Sequence, residues 1–328
     1  MPRGGRRADL TARVGSVVLP NPIMTALGTA GYGVELGGYF DPAALGAVVP
    51  KSLSPEAWAG NPAPRVHEAG SGMLNSVGLQ NPGIEHWLAN DLHALAGCGA
   101  RVVVSIWAFH ADGYRAAASK VAAAVAGGGS ASALVAVEAN ISCPNIEDRR
   151  QMFAHSTAAT AAAVGAARAG LDGALPLWAK LSPNVTDLPV IAGAALDAGA
   201  DGLVLTNTLM GLAIDPATGR PVLGAGGGGL SGPPLHPVAV RAVYECRNAF
   251  PSTAIVGVGG VTRGADAAEF LAAGADAVQV GTASFADPAA CVRVLAELRQ
   301  WCRRHGIDNL AELVGRAQRA NAAGQQHS

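Results

Sequence analysis

Apolar residues occur in this chain as short continuous blocks, separated by longer stretches in which they recur every three or four positions. The blocks fall at residues 22–27, 47–52, 101–108, 134–142, 175–182, 202–208, 253–261 and 277–285. Most are uninterrupted rather than alternating, which predicts parallel strands buried on both faces. The helical period falls between them, at 83–97, 111–126, 156–169, 188–198, 237–250, 265–273 and 288–305. Gly199 in "LDAGADGL" and Gly274 in "LAAGADAV" stand where helix C-caps belong. Strands alternating with helices about eight times is the arithmetic of an α/β chain folded as a (β/α)8 TIM barrel. A doubly wound open sheet would want G-x-G-x-x-G after its first strand, and "ALGTAGYG" approximates that only loosely.

Two stretches exceed what a minimal barrel needs. Residues 53–82 and 209–234 are long and rich in Pro, Gly and Asn, and both leave the C-terminal ends of strands. Loops of that length in a compact domain are usually lids or binding loops. No linker interrupts the chain, so the expectation is one domain over 1–328, with the barrel at about 20–306 and an appended helix at about 308–323.

Composition narrows the class. The formal net charge of −1 offers no electrostatic footprint for nucleic acid or an anionic membrane. The basic opening at Arg3, Arg6 and Arg7 leads into no apolar signal region, and no apolar run approaches the ~18 residues of a membrane span. The five cysteines (Cys98, Cys143, Cys246, Cys291, Cys302) are scattered and never form C-x-x-C. That pattern disfavours a disulfide framework, a zinc site or an iron–sulfur cluster in this chain, and the expected setting is the reduced cytoplasm.

In a barrel, polar residues at strand C-termini are the site candidates. Here they are Lys51-Ser52, "NISCPN" (Asn140 to Asn145), Lys180, Asn207-Thr208, Gly259-Gly260 and Gly281-Thr282. The loop after the second strand adds "GMLNSVGLQNPG". Amides, hydroxyls and two lysines gather there without a carboxylate pair or a histidine cluster, which argues against metal-assisted hydrolysis and glycosidase chemistry. The set suits an anionic ligand with many hydrogen-bonding groups. Glycines at the last two strand ends, with Gly232 before them, let backbone N–H groups approach phosphate oxygens, although tight turns alone would use the same glycines. Lys180 ends the apolar run "LPLWAKLS", where an ammonium must find an anion or lose its proton; the plainer reading is a lysine reaching solvent from a strand end. Lys51 carries the same two readings. Cys143 lies between turn residues, which weighs against the buried structural role common for cysteine. A thiol so placed can act as nucleophile or general base, and no histidine partner is legible.

Taken in order, "LNSVGLQNPG", "NISCPN", "KLSPNVTD", "GADGLVLTNTLMG", "GGLSGPP", "GVGG" and "AGADAVQVGTASFADP" resemble the dihydroorotate dehydrogenases over about residues 15–300. Cysteine within "NISCPN" is similar to the soluble class. "GLQNPG" and "KLSPNVTD" most resemble the NAD-linked catalytic subunit, which works with an FAD and iron–sulfur subunit. The resemblance implies FMN at the barrel mouth, its phosphate on Gly259, Gly260, Gly281 and Thr282, and its ring against Lys51, Ser52, Asn140, Lys180, Thr206 and Gly232. It implies dihydroorotate held by Lys51, Asn75, Ser76, Val77, Gly78, Leu79, Asn140, Asn145, Asn207 and Thr208, with Cys143 as the base that takes the C5 proton. No metal is implied. The partner is either a second copy, giving a homodimer, or the electron-transfer subunit, giving a heterotetramer. Three positions depart from the family pattern: Leu27 where a hydroxyl is usual, Ser105 where an asparagine is usual, and "IEDRRQMFAHS" at 146–156 where the segment is usually short and glycine-rich. The competing readings are a flavin enzyme acting on a related dihydropyrimidine or other unsaturated ring, and a flavin-free phosphate-binding barrel.

Overall fold

The computed structural model describes residues 8–142 and 152–325, with side chains through 322. Seven parallel strands form one sheet: Ile23–Thr25, Val102–Ile106, Leu134–Asn140, Leu177–Leu181, Gly202–Leu205, Ala254–Val258 and Ala277–Val280. They are the first and the third to eighth staves of a ring, whose spatial order runs first, eighth, seventh, sixth, fifth, fourth, third. Residues 47–53 fill the gap between first and third through parallel bridges from Ala47 to Met24, Val48 to Val102 and Leu53 to Ile106. The ring is closed, and the fold is the (β/α)8 barrel.

The second stave is where expectation and structure part. A regular strand over 47–52 is replaced by isolated bridges, because Pro50 has no N–H to give to a ladder. Pairing lapses after Val48 and resumes at Leu53, whose N–H donates to the Ser105 carbonyl at 2.9 Å. The eighth strand is also shorter than its apolar run. It stops at Val280, and Ala283–Ala286 forms a single helical turn.

Six helices, Ala111–Gly127, Thr157–Leu171, Leu188–Asp197, His236–Ala249, Gly264–Ala272 and Ala290–Arg304, follow the third to eighth staves. Their starts are chemically marked. Ser156 accepts from the Ala159 N–H, and Asp187 accepts from the Val190 N–H just before a proline in the first turn. The stretch at 83–97 is two helices, Ile84–Asn90 and Leu92–Gly97, meeting at Asp91. The C-terminal addition is likewise divided: a short turn Leu310–Glu312 and the helix Arg316–Gln325 are separated by Gly315, whose φ of 70° breaks a continuous helix.

Two features position the site. A hairpin, Ala12–Val14 with Val17–Leu19, turns at Gly15 and Ser16 and buries Ala12, Val14, Val17 and Leu19. It lies against the starts of the sixth and seventh staves, since a side chain on Gly15 would stand 3.6 Å from Ala254. The N-terminal end of the barrel is thereby covered, and the C-terminal mouth carries the polar strand ends. There the two long loops pair with each other. Val66–Ala69, Gly72–Asn75, Gly228–Ser231 and Leu209–Gly211 form an antiparallel four-stranded arm in the order 209–211, 228–231, 72–75, 66–69.

Candidate active site

The fourth stave sets the centre of the mouth. Successive side chains of a strand point to opposite faces, so Glu138 and Asn140 share the inward one. Asn140 is fully buried. Its Nδ2 donates to Ser52 Oγ at 3.0 Å, and its Oδ1 accepts from Ser142 Oγ at 3.0 Å and from Asn207 Nδ2 at 3.3 Å. Asn207 also donates to Ser142 Oγ at 2.8 Å, and Ser52 and Ser105 share a hydrogen bond of 2.9 Å. Ser52, Ser105, Asn140, Ser142 and Asn207 therefore form one network across the second, third, fourth and sixth staves. From behind, the buried Tyr114 hydroxyl donates to the Asn140 carbonyl at 2.8 Å and holds that strand end in place. Ser105, the departure from the family pattern, is absorbed by the pair it makes with Ser52.

The two lysines behave differently. Lys51 is half-buried, and a side chain on Gly28 would lie 3.6 Å from its Nζ, so its ammonium faces the loop after the first stave. Lys180 is almost fully buried, which excludes a lysine reaching out to solvent. Its Nζ donates to Gln279 Oε1 at 3.0 Å and lies 3.7 Å from Glu138 Oε1, while Gln279 Nε2 donates to Glu138 Oε2 at 2.6 Å. Neither Glu138 nor Gln279 was expected in the site. Each left a signal, as the lone acid in "LVAVEANIS" and the lone amide in "AVQV".

Gly232 lies beside both Gly260 and Thr282. A side chain on Gly260 would come within 2.8 Å of the Gly232 carbonyl, and one on Gly232 would reach Thr282 at 3.6 Å. Gly281 packs beside Ala26 and Thr29. Gly259 and Gly260 have φ of 146° and 65°, a turn that side-chain-bearing residues rarely make. Thr29 lies next to this cradle, its hydroxyl donating to the Ala26 carbonyl at 3.1 Å. A hydroxyl is thus present two residues beyond Leu27. Thr206, at the end of the sixth stave, has a buried hydroxyl without a partner among the described residues.

Asn75 to Leu79 belong to the arm and its exit. Asn75 Nδ2 donates to the Gly229 carbonyl at 3.2 Å, and Gly229 packs on Thr208. Asn61 donates to Ser76 Oγ at 2.8 Å and takes the Val77 carbonyl on its own N–H; Trp58 Nε1 donates to the Gly78 carbonyl at 2.9 Å. Leu79 has φ of 62°, an uncommon conformation for a residue with a side chain. Asn184, in "KLSPN", was missed as a site residue. It ties the mouth to the arm, donating to the Thr208 carbonyl at 2.9 Å and accepting from the Met210 N–H at 2.8 Å.

Cys143 and Asn145 lie outside the described residues, as does most of the segment at 146–156. Both flanks are placed: the Ala154 N–H donates to the Ile141 carbonyl at 3.0 Å, and Phe153 meets Tyr114 edge to face. The remaining thiols divide by burial. Burial pushes the Cys246 thiol up to about 12 and the Cys291 thiol up to about 11, and it raises Cys302 as well, whereas Cys98 is exposed. Alkylation of the native protein at neutral pH is therefore expected at Cys98, sparing Cys246, Cys291 and Cys302. Peptide mass spectrometry reads this directly, and labelling of Cys246 as fast as Cys98 would contradict it.

No group of three or more His, Cys, Asp or Glu able to hold a metal occurs among the described residues, nor any helix long and apolar enough to cross a membrane. Fold and site together define a (β/α)8-barrel enzyme with an amide-lined mouth over a buried lysine. Residues 9–301 match the family model described as dihydroorotate dehydrogenase. The chain belongs to that family of oxidoreductases. It is 42% identical over 312 residues to the catalytic subunit of dihydroorotate dehydrogenase B (NAD(+)) from Geobacter sp. (strain M21), covering 94% of this chain and 98% of that protein. The identically named subunit of Desulforudis audaxviator (strain MP104C) is 44% identical over 306 residues, covering 93% and 96%. That of Listeria innocua serovar 6a (strain ATCC BAA-680 / CLIP 11262) is 41% identical over 304 residues, covering 93% and 97%. These names agree with the subclass that "GLQNPG" and "KLSPNVTD" suggested.

Proposed function

We propose that this chain is the catalytic subunit of an NAD-linked dihydroorotate dehydrogenase that oxidises dihydroorotate to orotate with FMN at the barrel mouth. The observation that carries it is the Ser52–Asn140–Ser142–Asn207 network beside the buried Lys180, in a chain of this family. The residues present fit FMN. Gly260 has no room for a side chain beside the Gly232 carbonyl, which keeps the backbone N–H groups of this turn bare for a phosphate, Thr206 keeps a buried hydroxyl for a ring atom, and Lys180 supplies a cation. Gly259, Gly281, Lys51, Ser52 and Asn140 complete the proposed cofactor contacts.

Bound there, FMN would accept the hydride that leaves C6 of the substrate. This chain's own residues do the rest. Asn140, Asn207, Thr208 and Asn145 orient the pyrimidine amides, and Lys51 with residues 75–79 holds the carboxylate. Cys143 takes the C5 proton, so that loss of that proton and of the C6 hydride leaves the C5–C6 double bond of orotate. The amide network fixes the ring in a geometry made before the substrate arrives, which is where such residues contribute most.

Purified protein should be yellow and release FMN on denaturation. A colourless protein with unimpaired binding of other phosphorylated ligands would favour the flavin-free barrel. Electrons must then leave this chain. The sequence has no C-x-x-C and no cluster-spaced cysteines, and its relatives are named as catalytic subunits. Alone, the chain is expected to reduce NAD very poorly with dihydroorotate, and addition of an FAD and iron–sulfur subunit should restore the reaction. Rapid NAD reduction by the isolated chain would defeat the two-subunit reading, and efficient turnover with fumarate would place it with single-subunit homodimers.

A further inference from the structure

Glu138 and Gln279 stand on the fourth and eighth staves, opposite each other in a ring of eight, and their side chains meet across the barrel interior. Lys180, from the fifth stave, completes the trio. Glu138 and Gln279 are 0% exposed and Lys180 is 2% exposed, so water and salt screen none of these charges. The bonding order is fixed by chemistry: an ammonium only donates and a carboxylate only accepts, so the Gln279 amide must turn its oxygen to Lys180 and its nitrogen to Glu138. The amide stands between the charges, and the direct Lys180–Glu138 separation stays at 3.7 Å. Glu138 Oε1, the carboxylate oxygen nearest the ammonium, has no hydrogen-bond partner among the described residues. A lysine meant only to neutralise this acid would close onto it.

We propose that Glu138 and Gln279 are positioning residues that hold the Lys180 ammonium away from full ion pairing, and so set how strongly it favours the reduced flavin. The inference rests on the proposed reading that Lys180 faces the flavin ring. Glu138 opposes the lysine's field from inside the barrel, and Gln279 keeps the lysine from collapsing onto it. Reduction adds negative charge to the flavin, so the strength of that net field is read as its midpoint potential. The two positions then have opposite signatures. Removing the Glu138 charge leaves the ammonium unopposed, whereas removing the Gln279 amide lets the ammonium close onto Glu138 and withdraw.

The test is spectroelectrochemical titration of the flavin-loaded protein as wild type, Glu138→Gln, Glu138→Asp and Gln279→Met. Glu138→Gln should shift the midpoint to more positive potential, Glu138→Asp should stay near wild type because the charge is kept, and Gln279→Met should shift it to more negative potential. Gln279→Met keeps both charges and nearly the same volume, so it decides the matter should Glu138→Gln fail to fold. Wild-type potentials in the folded, flavin-loaded variants, or a shift of the same sign in Glu138→Gln and Gln279→Met, would overturn the proposal. A wild-type protein that takes up no flavin would instead remove the reading on which it rests.

Discussion

Replacing Cys143 with serine is expected to slow reduction of the bound flavin by dihydroorotate roughly 10²- to 10⁴-fold near neutral pH, the usual contribution of a positioned general base. In the sequence Cys143 directly follows Ser142, which interlocks with Asn140 and Asn207 at the strand end. Substrate fixed on those amides would leave one carbon-bound proton to remove, and a serine hydroxyl at neutral pH is a far weaker base than a cysteine thiolate. Substrate binding should change little, since the amides remain. The decay of the flavin's absorbance after rapid anaerobic mixing gives the rate. An unchanged rate would take Cys143 out of the mechanism.

Lys180→Met should cost both cofactor and stability. Removing the ammonium leaves Glu138 buried without its counter-charge, and breaking one side of a buried pair typically costs ~3–5 kcal/mol. Flavin retention should fall in parallel, because the cation proposed to face its ring is gone. The two losses can be separated. The double variant Lys180→Met with Glu138→Leu removes both charges at similar volume, a change that is often close to neutral for stability. It should recover the denaturant midpoint while the flavin-to-protein ratio after gel filtration stays low. Recovery of both would mean that Lys180 serves only the core.

The barrel was legible because its signal is local. Continuous apolar blocks and C-cap glycines such as Gly199 and Gly274 mark strands and helix ends without reference to anything distant. The strand-end residues followed from the fold alone, and the structure joins Ser52, Asn140 and Asn207 in one network and Gly232, Gly260 and Thr282 in one cradle. What escaped depends on partners far away in sequence. The arm pairs Asn75 with Gly229, and nothing in either loop announces the other. Glu138 and Gln279 meet at Lys180 from staves the sequence separates by 141 residues. An acid or amide inside a two-faced buried strand was the available clue, since such a group must find a partner in the interior. The hairpin at 12–19 was a weaker case: its three-residue strands are short, but "ARV" and "VVL" flank Gly15-Ser16 in the manner of a two-residue hairpin turn.

The proposed chemistry is tested most directly by titrating the purified, flavin-loaded protein with dihydroorotate in the absence of oxygen. The yellow absorbance should bleach with about one equivalent of substrate per flavin, and orotate should appear in the same amount, because one hydride and one proton leave each molecule. A yellow protein that stays yellow, with no orotate formed, would contradict the assignment of dihydroorotate as the substrate.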